Sequence, residues 1–329
     1  MFAIKIAGLG SYLPERIVTS AELERELSLE PGWVERVTGV RERRYVTHES
    51  AAGMAASAAQ RAIAQAGLDL TAIDLIIGAS SAPQQAIPCT AALIQRELGA
   101  PDGGSACLDI NATCLSFLAA LQVAAHLVAA GSYRAALICS SEIAAHSRNP
   151  AEPESAVLFG DAAAAAVITR AEPGEASCIA WEQFATYSSG APLTEILGGG
   201  TLHHPNDPST TAAMNMFHMN GPGIYKKAMR HLGPFLDRFF ERVGWERAAT
   251  ELLVPHQASR HGIELLSARL GFRPDQLMVN LAERGNCIAA SIPLALAEAQ
   301  ASGRLRRGQR VVLLGTGAGL TIGAVGLIF

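Results

Sequence analysis

Residues 73–81 read IDLIIGASS, and residues 134–142 read RAALICSSE. Both are apolar runs with few charges inside them, which is typical of buried strands in a parallel sheet. Helical patterns lie before, between and beside them, at 51–67, 88–98 and 114–131. This alternation predicts an α/β fold, with mainly parallel sheets covered by helices.

The same rhythm continues through the second half of the chain. The run AAAAAVITR (162–170) predicts a strand, although alanine by itself favours helix. The run SCIAWEQFA (177–185) predicts the first strand of a second series, and a helix is expected at about 221–243. The closing run, RVVLLGTGAGLTIGAVGLIF, predicts two strands joined by a glycine turn. Strand–helix–strand order therefore occurs twice, although the repeat is weak at the level of single residues.

Composition excludes several classes of function. The chain is 49% hydrophobic and 17% charged, with a net charge of −4 and no basic stripe of the kind that nucleic acid requires. Its longest weakly polar run, 116–130, is too short to span a bilayer and predicts a buried helix. Six irregularly spaced cysteines predict free thiols in a reducing compartment, which indicates a cytoplasmic protein without membrane insertion. No cysteine or histidine pair completes a ligand set around His203 and His204, so no metal site is expected.

The segment DINATCLSF (109–117) contains the first candidate for chemistry. A strand is expected to end at Asn111, and Thr113 and Cys114 then open a helix. A thiol at a helix N-terminus faces unpaired N–H groups and the positive end of the helix dipole, and both favour the thiolate. The thiolate is the reactive form for acyl transfer, so Cys114 is a candidate nucleophile.

Three further elements are candidates for partners of this thiol. His256 follows a predicted strand, ELLVPHQ, at the kind of carboxyl end where catalytic groups gather in α/β proteins. Asn286 lies in a tight turn of ERGNCIAASIP, before a helix of small residues. In GTGAGLT (315–321), Gly317 and Gly319 let backbone N–H groups approach a ligand without a Cβ in the way.

Taken together and in this order, these elements resemble the β-ketoacyl-acyl-carrier-protein synthase III family of the thiolase superfamily. The resemblance covers nearly the whole chain. The segments that carry it are GLGSYLPERIVT (8–19), WVERVTGVRERR (33–44), FGDAAAAAV (159–167), GPGIYKKAM (221–229), VPHQAS, GNCIAASIP and GTGAGLTIG. It implies a five-layered α/β/α/β/α fold with two similar halves, residues 1–172 carrying the cysteine and residues 173–329 carrying the histidine and asparagine. It also implies an obligate homodimer.

The resemblance implies a role for each candidate. Cys114 would take the acyl group from acyl-CoA as a thioester. His256 and Asn286 would hold the thioester oxygen of a malonyl-acyl carrier protein while it loses CO2, and the enolate carbon would attack the acyl-enzyme. Backbone N–H groups of Cys114 and Ala318 would form a second oxyanion hole. No cofactor is expected, because CoA arrives as a substrate thioester and phosphopantetheine arrives on the carrier protein.

Several positions depart from the pattern of members that use acetyl-CoA. Ile87 stands where those enzymes often have a bulky Phe that crosses the dimer interface and closes the acyl pocket, so a longer or branched acyl group is a hypothesis. Arg36 and Arg260 are shifted from the usual positions of arginines that meet CoA and the carrier protein, and Pro222 replaces an asparagine near the pantetheine arm. The expected substrate-binding residues are Trp33, Arg36, Ile87, Lys226, Arg260, Gly317 and Gly319.

Other functions stay open at the level of the sequence. The main alternative is an acyltransferase of the same fold that forms an ester or an amide, or condenses two acyl-CoAs, in specialised metabolism such as polyketide synthesis. A subunit without catalytic function is disfavoured, because such subunits lose the nucleophile. A cysteine hydrolase is disfavoured too, because the sequence offers no water-activating carboxylate beside Cys114. The polar, Gly-rich stretch 187–211 either lines a substrate channel or is a surface excursion.

Overall fold

The computed structural model describes residues 2–329, apart from the side chains of Ser267 and Ala268. In chain order, the strands are β1 (Ile4–Tyr12), β2 (Arg16–Thr19), β3 (Glu42–Tyr45), β4 (Leu75–Gly78), β5 (Ala106–Asp109), β6 (Ala135–Glu142), β7 (Ala162–Arg170), β8 (Cys178–Thr186), β9 (Thr194–Glu195), β10 (His218–Met219), β11 (Leu252–Pro255), β12 (Arg310–Gly317) and β13 (Thr321–Ile328). The helices are α1 (Ser20–Glu26), α2 (Trp33–Thr38), α3 (Ala51–Ala66), α4 (Thr90–Glu97), α5 (Ser116–Ala129), α6 (Pro153–Ala156), α7 (Gly221–Val243), α8 (Arg260–Leu270), α9 (Leu281–Arg284) and α10 (Ser291–Ala301). Each strand and helix that the sequence predicts has a counterpart among them.

The chain forms two large sheets, and four strands of the first match the four strands of the second in order. The first is ordered β1-β7-β6-β4-β5, and the second is ordered β8-β13-β12-β11. In the first sheet β4 pairs in parallel with β5 and β6, whereas β7 is antiparallel to both of its neighbours. In the second sheet β11 and β12 are parallel, and β13 is antiparallel to both of its neighbours. The prediction of mainly parallel sheets is therefore wrong. A short turn, without the crossover helix that parallel pairing needs, returns the chain from β12 into β13.

Helices lie between the sheets and on both outer faces. Alternate residues of β6 face opposite sides: Ala136 and Ile138 join a core that contains α5, α10 and the second sheet, whereas Leu137 and Cys139 join a core that contains α3 and α4. The outer face of the second sheet packs against α7 and α8. The order of layers is thus α/β/α/β/α, and the five-layered prediction is confirmed. The predicted buried helix, α5, belongs to the central layer.

Equivalent hydrogen bonds occur within each of the two sheets, at the ends of β4 and β11. The Ala79 N–H donates to the Cys139 carbonyl at 2.7 Å, after β4 and along β6. The His256 N–H donates to the Leu314 carbonyl at 2.7 Å, after β11 and along β12. His256 therefore occupies in the second sheet the place that Ala79 occupies in the first. A division of the chain at residues 172 and 173 stays a prediction, although β7 ends before it and β8 begins after it.

The remaining segments lie outside the large sheets. β2 and β3 pair antiparallel, with α1 and α2 between them in the chain, in a small sheet that the sequence did not predict, and β9 pairs with β10. The stretch 187–211 is not continuous loop, since it contains the 3₁₀ turn Ser188–Leu193 and β9. Within residues 2–329, no helix is both long enough and apolar enough to cross a bilayer.

Candidate active site

Cys114 lies in a short 3₁₀ turn, Thr113–Leu115, between the end of β5 and the start of α5. The side chain of Asn111 holds this turn. Its Oδ1 accepts a hydrogen bond from the Thr113 N–H at 2.8 Å, and its Nδ2 donates to the Ser81 carbonyl at 2.8 Å. Thr113 has a φ of +53°, in the left-handed region that residues with side chains rarely adopt. The turn is thus a strained and braced conformation immediately before the thiol.

The Cys114 thiol is half-buried, and its pKa is shifted. Burial raises the pKa of Cys114 to about 12, and the Glu142 carboxylate adds to that rise. Hydrogen bonds from the backbone N–H groups of Ala318 and of Cys114 itself lower it, as does the Thr113 hydroxyl. The N–H groups thus favour the thiolate, as expected, but desolvation of the sulfur outweighs them, so that the pKa of Cys114 is raised in the free protein.

β12 lies directly against the turn Thr113–Leu115, which carries the candidate nucleophile and is called the nucleophile turn below. A Cβ built at Gly317 would come within 2.7 Å of Thr113 Oγ1 and 3.1 Å of the Ala112 carbonyl oxygen. The Thr113 hydroxyl also reaches the Ala318 carbonyl at 3.4 Å. This close approach brings the Ala318 N–H to the thiol, so that the N–H groups of Ala318 and Cys114 converge on one point. Two converging backbone donors can stabilise an oxyanion.

His256 is buried, with 6% of its surface exposed, and burial lowers its pKa to about 4. The imidazole is therefore neutral at pH 7. Its Nδ1 is buried and has no hydrogen-bond partner among the residues described. An unpaired N–H in that position would cost more than an unpaired lone pair, so we assign the proton to Nε2. The ring lies beside the nucleophile turn, because a Cβ at Gly315 would touch both His256 Cβ, at 2.9 Å, and Leu115 Cδ2, at 2.8 Å.

Asn286 is fixed by its backbone and by one side-chain bond. Its N–H donates to the Leu158 carbonyl and its carbonyl accepts from the Gly160 N–H, at 2.9 and 3.1 Å. Its Oδ1 accepts from the Ile288 N–H at 2.9 Å. Within residues 2–329, no group accepts a hydrogen bond from its Nδ2, so this amide is available as a donor to a ligand.

The turn after Asn286 repeats the turn that contains the thiol. In both, an asparagine Oδ1 accepts the N–H of the residue two positions later, and that residue has a positive φ: +53° at Thr113 and +47° at Ile288. The two turns contact each other, and the Cys114 turn also contacts β12. The structure thus brings together Cys114 after β5, His256 after β11, Ala318 after β12 and Asn286 after α9.

The expected substrate-binding residues are more scattered. Trp33 is half-buried at the start of α2, and Arg36 is exposed, 3.7 Å from Glu30. Arg260 pairs with Glu264 at 2.9 Å and lines a cavity of about 340 Å³ between α8 and the end of α2. Lys226 is exposed on α7.

Ile87 lies at the surface, whereas Gly317 and Gly319 lie at the turn between β12 and β13. Ile87 is 85% exposed, so in this chain it does not close a pocket. Gly317 approaches the nucleophile turn as described above. Gly319 has a φ of +80°, and a Cβ there would meet no atom within 4 Å.

Three residues of the site escaped the sequence analysis. Asn111 and Ser81 brace the nucleophile turn, and Glu142 is a buried carboxylate near the thiol. One signal was present for Glu142, since RAALICSSE ends on a carboxylate after an otherwise apolar buried strand. The bond of Asn111 to the Thr113 N–H is a local Asx turn, which DINATC is compatible with, but the bond between Asn111 and Ser81 joins residues 30 positions apart and has no sequence signal.

The five layers, with a thiol on a braced turn where the two sheets meet, fit a condensing enzyme of the thiolase fold. Comparison with known proteins agrees. The family models described as 3-oxoacyl-[acyl-carrier-protein (ACP)] synthase III and its C terminal match residues 108–186 and 240–328. The chain belongs to the 3-oxoacyl-[acyl-carrier-protein] synthase III family, and it is an acyltransferase.

Individual relatives are similar over their full length. A β-ketoacyl-[acyl-carrier-protein] synthase III of Symbiobacterium thermophilum is 38% identical, over 98% of this chain and 97% of its own. The crystal structure of the synthase III of Aquifex aeolicus matches with a TM-score of 0.89 and 32% identity, over 99% of this chain and 100% of its own. The priming β-ketosynthase of the R1128 polyketide pathway matches with a TM-score of 0.90 and 28% identity, over 99% and 96%.

Proposed function

We propose that this enzyme condenses an acyl group from acyl-CoA with a malonyl-acyl carrier protein. The observation that carries the proposal is that the turn with Cys114 contacts both β12 and the turn after Asn286, which would allow two separate donor pairs near one thiol. The N–H groups of Cys114 and Ala318 form one pair, and the side chains of His256 and Asn286 form the other. Simple acyl transfer needs the first pair alone, whereas loss of CO2 from a malonyl thioester places negative charge on a second oxygen.

In the first half-reaction, Cys114 sulfur attacks the thioester carbon of acyl-CoA. The carbonyl oxygen becomes an oxyanion held by the two N–H groups, and the carbon–sulfur bond to CoA then breaks. The thiol proton ends on the CoA sulfur, so the products are an acyl-enzyme and free CoA. Because the pKa of Cys114 is about 12 in the free protein, ionisation is expected to accompany attack rather than to precede it.

In the second half-reaction, the malonyl carbon–carbon bond breaks and CO2 leaves. The electron pair becomes an enolate, whose oxygen accepts hydrogen bonds from His256 Nε2–H and Asn286 Nδ2–H. The enolate carbon attacks the acyl carbonyl, and the bond to Cys114 sulfur breaks. A 3-oxoacyl-carrier protein is released, and Cys114 recovers its proton from solvent. No resident cofactor enters these steps, since phosphopantetheine is brought by the carrier protein.

The experiment separates the two half-reactions. Acyl-enzyme is prepared, freed of CoA and mixed with a malonyl-acyl carrier protein, and CO2 and condensed product are measured. We expect one CO2 for each acyl group consumed. The Asn286→Ala variant should load normally and release CO2 slowly. Hydrolysis of the acyl-enzyme without CO2 release, or transfer of the acyl group to an alcohol or amine in its place, would refute condensation.

Substrate entry is proposed between α2 and α8. Arg260 lies against Gly39 at the end of α2, with its Cβ 3.0 Å from a Cβ built at that glycine. This contact supports a shared surface for CoA or the carrier protein that would include Trp33, Arg36 and, from α7, Lys226. All three cationic groups are at the surface, where they can meet phosphates.

A homodimer is proposed across the edge strand β5. This strand ends the order of the first sheet, and an open strand edge is a template for pairing with another copy. Ile87, 85% exposed in one chain, is the kind of large apolar side chain that a partner would cover, and there it would limit the acyl pocket. The Ala106→Lys substitution, at an exposed position of β5, should give a monomer in sedimentation experiments, and an unchanged sedimentation coefficient would refute this interface.

We also propose that the enzyme acts in the cytoplasm. Its six cysteines are all free, which suits a reducing compartment. Fatty-acid initiation and a specialised lipid or polyketide pathway would both use the same half-reactions.

A further inference from the structure

Glu142 is a buried carboxylate that the two half-reactions do not use. It is the last residue of β6, and only 3% of its surface is exposed. Its Oε1 accepts the Ser81 N–H at 2.6 Å, and its Oε2 accepts the Ser81 hydroxyl at 2.6 Å. β6 also contacts the turn Ile288–Ala290, and the Ala289 N–H in that turn lowers the pKa of the Glu142 carboxyl. Burial raises the pKa of Glu142 to about 7, whereas the two hydrogen bonds from Ser81 lower it.

The bond to Ser81 leads to the nucleophile. The Ser81 carbonyl accepts from Asn111 Nδ2 at 2.8 Å, and Asn111 Oδ1 accepts from the Thr113 N–H at 2.8 Å. Thr113 precedes Cys114 and has the strained positive φ. A continuous chain of hydrogen bonds therefore runs from the Glu142 carboxylate to the turn that presents the thiol.

The contact of β6 with the turn Ile288–Ala290 leads to the asparagine. Ala289 is the middle residue of the 3₁₀ turn Ile288–Ala290, whose first N–H is held by Asn286 Oδ1 at 2.9 Å. This turn also has a residue with positive φ. One carboxylate thus braces both strained turns, which come from opposite halves of the chain and contact each other.

We propose that Glu142 is a positioning residue that holds the Cys114 turn and the Asn286 turn in register, so that the loaded acyl group and the enolate meet. The proposal rests on the proposed function for the roles of the two turns. It does not make Glu142 a catalytic residue, since the carboxylate touches neither substrate in that scheme.

The shape and the charge of Glu142 can be separated. Glu142→Gln keeps the length of the side chain; its amide can donate to the Ser81 hydroxyl, and its oxygen has two lone pairs to accept N–H groups. Glu142→Asp keeps the charge but is one methylene shorter, so it cannot reach both Ser81 and Ala289. If reach is what matters, the glutamine variant should behave like wild type and the aspartate variant should not.

The matched control is Asp74, which directly precedes β4 and bonds to the opposite end of β6 from Glu142. Its carboxylate accepts the N–H groups of Arg134 and Ala135, where β6 begins, at 2.9 and 3.0 Å. Asp74→Asn should lower the unfolding temperature without affecting either turn. It therefore measures what a loss of carboxylate bonds to β6 does by itself.

Two readouts are taken on each variant: amide hydrogen exchange by mass spectrometry, and the rate of acyl loading per folded thiol. In Glu142→Asp we expect faster exchange in both 111–116 and 286–291, and loading slower by about tenfold to a hundredfold, as for a displacement near 1 Å. The KM for acyl-CoA should stay within about twofold of wild type, because binding is not the step affected. Glu142→Gln and Asp74→Asn should show neither change.

The outcomes are decisive in both directions. Faster exchange in both turns together with slower loading in the aspartate variant, and recovery in the glutamine variant, supports the proposal. Unchanged exchange in either turn, equal loss in the glutamine variant, or equal loss in Asp74→Asn overturns it. If Glu142→Asp does not fold, Asn111→Ala breaks the same chain at an exposed side chain and should loosen 111–116 and slow loading. Should wild type fail to load, the proposed function fails, and hydrogen exchange still tests the brace.

Discussion

The substitution Gly317→Ala should slow acyl loading of Cys114 while leaving the thiol itself unchanged. The built Cβ lies 2.7 Å from Thr113 Oγ1 and 3.1 Å from the Ala112 carbonyl oxygen, against 3.4 Å or more for an ordinary contact. The hydroxyl can rotate away, but the carbonyl is backbone and cannot. β12 and the nucleophile turn must therefore separate by a few tenths of an ångström, and the Ala318 N–H, next in the chain, moves away from the sulfur.

The size of the effect follows from the two costs of this separation. Displacement of a donor from the oxyanion costs up to about 2.7–4 kcal/mol of barrier, which is the effect of removing it altogether. Partial displacement should slow loading by about tenfold to a hundredfold. Overpacking should also cost about 1–3 kcal/mol of unfolding free energy, which leaves a typical domain folded.

The assay is the rate of acyl-enzyme formation from acyl-CoA, followed by intact mass after rapid quenching, with folded protein determined separately. Gly53→Ala is the matched control. Gly53 lies in the first turn of α3, and the nearest atom to its built Cβ is the Ser50 hydroxyl at 3.1 Å, which can move. This control should load like wild type. A folded Gly317→Ala protein that also loads at the wild-type rate would refute the assigned oxyanion hole.

Three further predictions concern the other parts of the site. Asn286→Ala should load at the wild-type rate and release CO2 from malonyl-acyl carrier protein about 10²–10³-fold more slowly, in a CO2 assay; equal loss of both steps would contradict its separate role. The pKa of His256 is about 4 in the folded protein, below its ordinary 6.5, so its neutral form contributes stability above pH 6.5 that is lost as the pH falls through 4. Between pH 6.5 and pH 4, urea unfolding should therefore show the free energy of unfolding of wild type falling by up to about 3 kcal/mol more than that of His256→Gln. The same dependence on pH in both proteins would exclude the buried neutral imidazole. Ile87→Trp should restrict loading to shorter acyl-CoAs, because each methylene excluded from the pocket loses about 0.8 kcal/mol of binding free energy. An unchanged preference for acyl chain length would show that Ile87 does not line the pocket.

The sequence patterns predicted the strands and helices well, because burial follows directly from residue type, whereas the five layers were implied by the family resemblance. β7 is the clearest case. Its alanines favour helix, yet the strand covers the predicted range 162–170 and is buried on both faces over most of its length. Strand direction was less accessible, because it depends on how each connection returns, and the turn between β12 and β13 makes those strands antiparallel.

The charge state of the thiol could not be obtained from sequence position. The helix-terminus argument identified the N–H groups near Cys114 correctly. It could not include the loss of water around the sulfur or the carboxylate of Glu142, which comes from a strand 28 positions later in the numbering. Net pKa is a balance between local donors and tertiary burial, and sequence gives the first of these alone.

The brace behind the two turns was missed for a related reason. Ser81 and Glu142 are 61 residues apart, and neither belongs to a motif that the resemblance carries. Their hydrogen bonds exist because β4 and β6 are neighbours in the sheet, so that polar groups at the ends of both strands meet. Sequence patterns predict which residues are buried more readily than which buried polar groups are partners.

The central claim is that Cys114 becomes acylated, and intact mass tests it most directly. Purified protein is incubated with acyl-CoAs from acetyl to dodecanoyl, and with malonyl-CoA, beside the Cys114→Ala variant. We expect a mass gain of one acyl group from at least one fatty acyl donor, absent in the variant, with the preferred chain length reporting on Ile87. No gain from any donor, or equal gain in Cys114→Ala, would contradict the account.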